Sequence, residues 1–563
     1  MADDRDEVRL AYDASQLPMA ITARPGHERG GMTDHSIGSA YDVVVVGSGP
    51  NGLVAANRLA DAGWGVLVLE AQPAPGGAVA SAEDVRAGFV HDTFSSFYPL
   101  AAASAPIRSL DLEAHGLVWR HAPAVLGHPR PDGSWALLHR DRELTASWAD
   151  DHHAGDGQAW LDLCATWDRV GDALVGAVTT PFPPVRSGAS LLVGVLRTGG
   201  LELVRTLLSP AADVGRARFG GQGPRLLVAG NAAHADIPLD APGSGLMGVL
   251  MSMLGQTVGF PVPEGGAGSL TRALVRRLES RGGTLVCGTR VTGIHVTDGR
   301  ADGVVTEDGD RIAAGRAVVA DVHALALYRR LLPTSAVPAR VVRGMAAFQL
   351  DPGTVKVDWA LSGPVPWASA PAVAPGTVHV ADDVAEMMQY SGQLSAGLVP
   401  ARPFLLVGQM TTADGTRSPA GTESLWAYTH VPQHVVGDTG DEGITGAWAH
   451  DDCERFADRM QARLERLAPG FGARVLARRV LGPRELEFLN ENLVGGAVNG
   501  GTSQLHQQLV LRPVPGWGRA ETGVRGLYLA SASAHPGGGV HGAAGMNAAR
   551  AALLHHRIRL GRR

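Results

Sequence analysis

The residues Gly47-Ser48-Gly49-Pro50-Asn51-Gly52 place glycine at the first, third and sixth positions of a short turn, and an acid, Glu70, follows further along the chain. That pattern suits one kind of chemistry, the holding of a dinucleotide by its diphosphate and ribose. Gly47 permits a tight turn, Gly49 lets the backbone approach a pyrophosphate, and Gly52 allows close helix–strand packing. Unpaired N–H groups at a helix N-terminus then face the phosphates. Glu70 would accept hydrogen bonds from ribose hydroxyls, which argues against a 2′-phosphate. The elements that must position these residues are legible around them. Tyr41 to Val46 is a β-branched run that reads as a buried parallel strand. Leu53 to Ala62 reads as the helix after the turn, and Gly65 to Leu69 as a second strand delivering Glu70. A glycine turn with no ligand is the bland alternative, and strand, spacing and acid together disfavour it.

FAD and NAD both satisfy those rules. The discriminating stretch is "LEAQPAPGGAVASAEDVRAGFVHDTFSSFYP", where a glycine pair, Gly76-Gly77, follows Glu70 in place of another helix and strand. It resembles the flavoprotein superfamily of amine oxidases and phytoene desaturases. In that superfamily the glycine pair lies against the FAD diphosphate and ribose. "PVPEGGAGSLTRALVRRLESRGGTLVCGTRVTGIHV" resembles the family's returning segment, in which Val291 would meet the adenine through its backbone. "GLYLASASAHPGGGVHGAAGMNAARAALL" resembles its closing motif: a strand, Leu527 to Ser531, a glycine turn, Gly537 to Gly539, and a last helix from near Gly542. A positive helix end there would stabilise negative charge on a reduced flavin. The resemblance runs from Tyr41 to the C-terminus and is nearest to the phytoene desaturase-like branch that includes the pyridine nucleotide-disulfide oxidoreductase domain-containing proteins.

The resemblance implies resident FAD held by Gly47, Gly49, Pro50, Asn51 and Gly52 in the first turn, and by Glu70 and Ala71 after the second strand. It adds Gly76, Gly77 and Ala78, Val291, and Gly538, Gly539, Val540 and His541. One departure is Ala78, where many relatives carry a cation, so that backbone N–H groups or Arg86 would have to replace it. His541, and secondly His535, flank the closing glycine turn and are the candidate proton donors or acceptors, since imidazole titrates near neutrality. A histidine bonded only to backbone is the competing reading for each. His506 and Arg512 face either substrate or structure. No metal site is expected.

The fold expected is α/β, a Rossmann-like FAD-binding domain built from discontinuous segments with an inserted α+β substrate domain. The FAD domain would take residues 41–116, 261–323 and 512–563, and the substrate domain residues 117–260 and 324–511. Residues 1–40 read as a disordered, polar lead, with a start at Met1 or at Met32 left open. A net charge of −6 without a basic stripe gives no reason to expect nucleic acid as a partner. Three scattered cysteines, Cys164, Cys287 and Cys453, exclude a CxxC redox pair and point to a cytoplasmic setting. With no second dinucleotide turn after a strand, electrons would leave to oxygen, a quinone or another membrane acceptor.

The inserted stretches Ala189 to Leu208 and Gly243 to Phe260 are apolar. The first could dock on a membrane surface, line a lipid channel or simply be core. The second, with Met247, Met251 and Met253, offers an adaptable surface for a long apolar ligand. The function expected is an FAD-dependent dehydrogenase or desaturase acting on a hydrophobic substrate such as an isoprenoid, polyene or long acyl chain. An amine oxidase-like enzyme, a redox-neutral flavin-dependent isomerase and a non-catalytic FAD-containing interaction protein remain as alternatives. Oligomeric state stays open.

Overall fold

The computed structural model describes residues 40–560, so the expectations for the lead and the start codon lie outside the described residues, apart from Ala40. The β-branched run forms the strand Ala40–Val46, buried at Val43 to Val46, at the middle of a seven-stranded sheet. It pairs in parallel with Val66–Leu69 on one side and with Arg311–Ala320 on the other. Thr284–Val286 extends the sheet beyond Val66–Leu69 in parallel. On its other side the strand Arg311–Ala320 serves two further partners. Its start pairs with the antiparallel hairpin of Val291–Thr297 and Arg300–Thr306, and its end with Leu527–Leu529 in parallel. Strands far apart in the sequence therefore meet at the carboxyl end of Ala40–Val46, where open α/β sheets bind their ligands.

The first helix is Pro50–Asp61, starting three residues before the expected Leu53. Gly49 is its N-cap and Pro50 its first residue, a place where proline's fixed φ and missing N–H cost nothing. The last helix, Ala543–Leu560, crosses it at very close range. A Cβ on Gly545 would stand 1.9 Å from the Asn51 carbonyl oxygen, so only glycine lets these two helix starts lie together.

A second seven-stranded sheet holds, in order, Val475–Leu481, Gly353–Leu361, Glu423–Val431, Leu405–Gln409, Pro375–Val380, Ala124–Pro129 and Trp135–Leu138. Its pairs are antiparallel except for Pro375–Val380 against Ala124–Pro129. The strand "GTVKVDWAL" is buried along its whole length. Val355, Val357 and Trp359 pack into a core with Phe456, Met460 and Leu464 of helix His450–Leu467. The two-residue period of a strand turns Thr354, Lys356 and Asp358 to the opposite face. On another flank the helices Asp156–Thr179, Gln222–Ala232 and Ser244–Thr257 pack with Leu126 and Leu138. The stretch Ala189 to Leu208 is two helices, Val185–Thr198 and Leu201–Leu208, broken at Gly199-Gly200, where Gly200 takes φ +55.

Candidate functional site

A cavity of about 790 Å³ has walls drawn from both sheets. The first turn contributes Gly47, Gly49, Pro50 and Asn51, and Glu70, Ala71, Gly77, Ala78 and Val291 join it. The first turn is packed too tightly to admit side chains. Cβ atoms on Gly49 and Gly52 would lie 2.6 Å from Asp321 Oδ2 and 2.3 Å from the Gly47 oxygen. The second glycine turn stacks on it, with Gly77 positioned so that a Cβ would stand 3.1 Å from Gly49 Cα. Two glycine turns thus offer bare backbone to a ligand at one place. Gly52 and Gly76 do not line the cavity but brace it, Gly52 by donating its N–H to Asp321 Oδ2 at 2.8 Å, and Gly76 by donating to the Ser48 carbonyl at 3.2 Å.

Glu70 braces the turn as well. Its carboxylate accepts from the Ser48 N–H at 2.8 Å, the Ser48 hydroxyl at 2.7 Å and the Gln72 N–H at 2.9 Å. A carboxylate has about four acceptor sites, which leaves room for one further donor such as a hydroxyl. Arg86 is exposed on the strand Ser81–Arg86 and takes no part in the wall, so the expectation that it replaces the cation missing at Ala78 is corrected. The cations in the wall are instead Arg290, Arg330 and Lys356.

The closing turn supplies Gly538, Gly539 and Val540, next to Asn499 and Gly500 of the segment "NGGTSQ". A Cβ on Gly538 would stand 2.6 Å from Asn499 Oδ1. That segment is held from two sides. Asp351, fully buried, accepts the N–H groups of Val498, Asn499 and Gly501 at 2.8, 2.8 and 3.1 Å. Arg512, also fully buried, donates to the carbonyls of Asn499, Gly500, Gly501, Thr502 and Ala532. Arg512 is therefore structural, while His506 is exposed and bonded to Gln349.

The proposed roles of the two histidines need correction. His541 is 5% exposed, lies outside the cavity wall and accepts the Ala543 N–H at Nδ1 over 3.0 Å, which caps the last helix. Burial pushes it down to about 4, so it is neutral at physiological pH. His535 also stands outside the wall and shares a hydrogen bond with the Thr180 carbonyl at 2.8 Å, its basicity likewise lowered by burial. Both imidazoles are tied to backbone, and neither is placed for proton transfer in the cavity.

Several wall residues were missed in the sequence, Lys356 and Asp321 among them. Lys356 is 3% exposed and its ammonium meets Asp358, whose other oxygen receives Arg479 at 2.8 Å. Burial lowers the lysine's proton affinity and would raise that of Asp358, but Lys356 and Arg479 hold the carboxyl at about 2. The signal was the alternation in "TVKVDW", a lysine and an acid inside an otherwise β-branched and aromatic strand. Beside it in the wall is Tyr428, stacked on Trp426 with ring centroids 5.8 Å apart. Asp321 was missed as well. Burial, with Glu70 nearby, pushes its carboxyl up to about 7.

Asn51 Oδ1, Asn499 Nδ2 and His323 Nε2 are buried, belong to wall residues and have no hydrogen-bond partner among the described residues. Orphaned polar atoms around a cavity of this size, beside a cradle of bare glycine backbone, fit a polar dinucleotide cofactor.

Comparison with known proteins agrees with this geometry. Residues 45–109 match the family model described as an NAD(P)-binding Rossmann-like domain. The chain is 28% identical over 550 residues to pyridine nucleotide-disulfide oxidoreductase domain-containing protein 2 of Mus musculus, covering 90% of this chain and 92% of that protein. It is 27% identical over 540 residues to hydroxyneurosporene desaturase of Cereibacter sphaeroides, covering 91% and 97%. An oxidoreductase from Methanosarcina mazei has the same fold, with a TM-score of 0.58 at 16% identity over 91% of this chain and 99% of that one.

Fold, cavity and relatives define an FAD-dependent oxidoreductase, one similar in sequence to proteins of the phytoene desaturase type. Within it, the chain is similar along most of its length to the mouse protein and to the bacterial desaturase.

Proposed function

We propose that this protein is a dehydrogenase or desaturase acting on a hydrophobic substrate such as an isoprenoid, a polyene or a long acyl chain. The observation that carries the reading is the apolar part of the cavity wall. Met247 and Met251 come from helix Ser244–Thr257, Leu100 and Leu489 from the short helices Pro99–Ala103 and Pro483–Leu489, and Phe97 and Val498 from loops. Unbranched methionines adapt to a long flexible ligand, and the remaining side chains give an apolar substrate little to lose on leaving water. The similarity to hydroxyneurosporene desaturase supports the same class.

FAD in this site would supply the acceptor for a hydride. The chain's own residues then have three tasks. The two glycine turns would hold the diphosphate through backbone N–H groups. The loop braced by Asp351 and Arg512 fixes the wall beside Gly538. Lys356 presents positive charge to the cavity, which favours negative charge developing there during reduction. Desaturation removes a hydride and a proton; the hydride would go to FAD and the proton to water at the cavity mouth, so positioning suffices and no paired base is needed. Incubation with a panel of detergent-dispersed polyenes, isoprenoids and acyl chains, followed by mass spectrometry, tests this reading. The expected product has lost two hydrogens. Turnover confined to amines, with peroxide release, would replace it by the amine oxidase-like reading, for which Tyr428 in the wall is the favourable feature.

A further inference from the structure

The helices Val185–Thr198 and Leu201–Leu208 carry a surface that the cavity chemistry does not use. Their inward side is small or apolar. A Cβ on Gly194 would lie 3.3 Å from Val170, and Leu191, Val195 and Leu203 pack with Val170 in a small core. The outward side is also apolar. Val185, Leu192, Val193 and Leu196 are 75, 60, 45 and 69% exposed and recur at helical spacing on one face. Leu201 and Leu208 of the second helix are 86 and 53% exposed as well. Exposed large apolar side chains gathered in this way mark an interaction site.

Charge identifies the occupant. Residues 181–220 hold five arginines against two acids, in a chain whose net charge is −6. Arg205 and Arg216 have partners in Glu202 and Asp213. Arg186 and Arg197, which flank the apolar stripe, are exposed and have no acidic partner among the described residues. Apolar side chains at the centre with free arginines at the margin match an anionic lipid surface, where leucine enters the acyl boundary and arginine meets the headgroups. With 14 residues, Val185–Thr198 is too short to cross a bilayer, and among the described residues no helix is long and apolar enough to do so.

We propose that this hairpin docks the protein on the surface of an anionic bilayer. Its position relates docking to the site. The Gly243 N–H donates to the Leu208 carbonyl at 3.1 Å, and the Gly245 N–H to the Ser209 carbonyl at 3.0 Å. The hairpin therefore sits against the start of the helix whose Met247 and Met251 line the cavity. Preceding the hairpin, the Thr180 carbonyl meets His535 beside the closing glycine turn. Where the proposed hydrophobic substrate holds, it would be drawn from the bilayer at this wall, and that step rests on the reading above. The docking itself rests only on surface geometry and charge.

The test is co-sedimentation of the FAD-loaded protein with phosphatidylcholine vesicles, with and without phosphatidylglycerol. Wild type is expected to pellet with the anionic vesicles and to be released by salt. Leu192→Ser combined with Leu196→Ser should weaken binding at least 10-fold, with flavin absorbance and thermal midpoint unchanged. Arg186→Gln with Arg197→Gln should weaken it by roughly 30-fold at about 1 kcal/mol per charge. Wild type that stays in the supernatant with both vesicles overturns the proposal. So does a dimer by light scattering that Leu196→Ser dissociates, which would assign the stripe to a second copy. Flavin bleaching by a detergent-dispersed substrate reads out the catalytic proposal separately, since it needs no vesicle.

Discussion

Asp321 holds a carboxyl against bare glycine backbone, and its proton decides how that turn behaves. It accepts the Gly52 N–H at 2.8 Å and is pushed up to about 7 by burial and by Glu70. Its folded affinity for a proton exceeds the unfolded one, so the stability it contributes is fully present below about pH 4 and is lost as pH rises through about 7. Asp321→Asn should remove that slope, so that the variant gains on wild type between pH 5 and pH 8 in urea denaturation of the apoprotein. An unchanged difference between the two pH values would show the carboxyl ionised throughout. Lys356 makes a second residue-scale case. Lys356→Met leaves Asp358 paired with Arg479 and should slow anaerobic flavin reduction roughly 10-fold or more, about 1.4 kcal/mol, with FAD retained. Loss of FAD with no change in reduction rate per bound flavin would make the lysine purely structural. The glycine turn was legible because only glycine meets its steric demand. His541 was misread because an imidazole's role depends on its partners in space, here the Ala543 N–H.

At the scale of elements, the packing of two helix starts decides whether the turn keeps its shape. The first helix and the last meet at Gly545, and an added methyl must push against the Asn51 carbonyl. Gly545→Ala should cost about 1–3 kcal/mol, the usual penalty of overpacking. It should also weaken FAD retention, because Asn51 belongs to the cavity wall. Calorimetry and FAD release on dialysis check both parts, and a variant as stable and as yellow as wild type would contradict them. Strand and helix identities here were readable from the β-branched run and the following alanine-rich segment. The start of the first helix was placed too late because Pro50 reads as a breaker until its position directly after the N-cap is known. The break at Gly199-Gly200 is hidden for a related reason, since apolar spacing continues across it.

Across the whole molecule, the cavity exists because two sheets, each assembled from distant stretches, face the same space. The order of the FAD-related motifs could be followed along the chain, since each carries its own glycine signature. The second sheet could not. Its strands pair out of sequence order, so the alternation in "TVKVDW" marks Lys356 as unusual without telling which space it faces, and Tyr428 is set opposite it only by the pairing register. The acidic residue that anchors the closing loop, Asp351, was equally hidden, because its partners are backbone N–H groups of a segment far along the chain.

The measurement that tests the central claim most directly is an anaerobic absorbance spectrum of the purified protein before and after adding a detergent-dispersed hydrophobic extract. The account predicts a flavin spectrum that survives dialysis and bleaches on addition of the extract, with colour restored by an electron acceptor. A protein that takes up no FAD, or whose bound flavin stays oxidised with every hydrophobic fraction and bleaches with an amine, would contradict it.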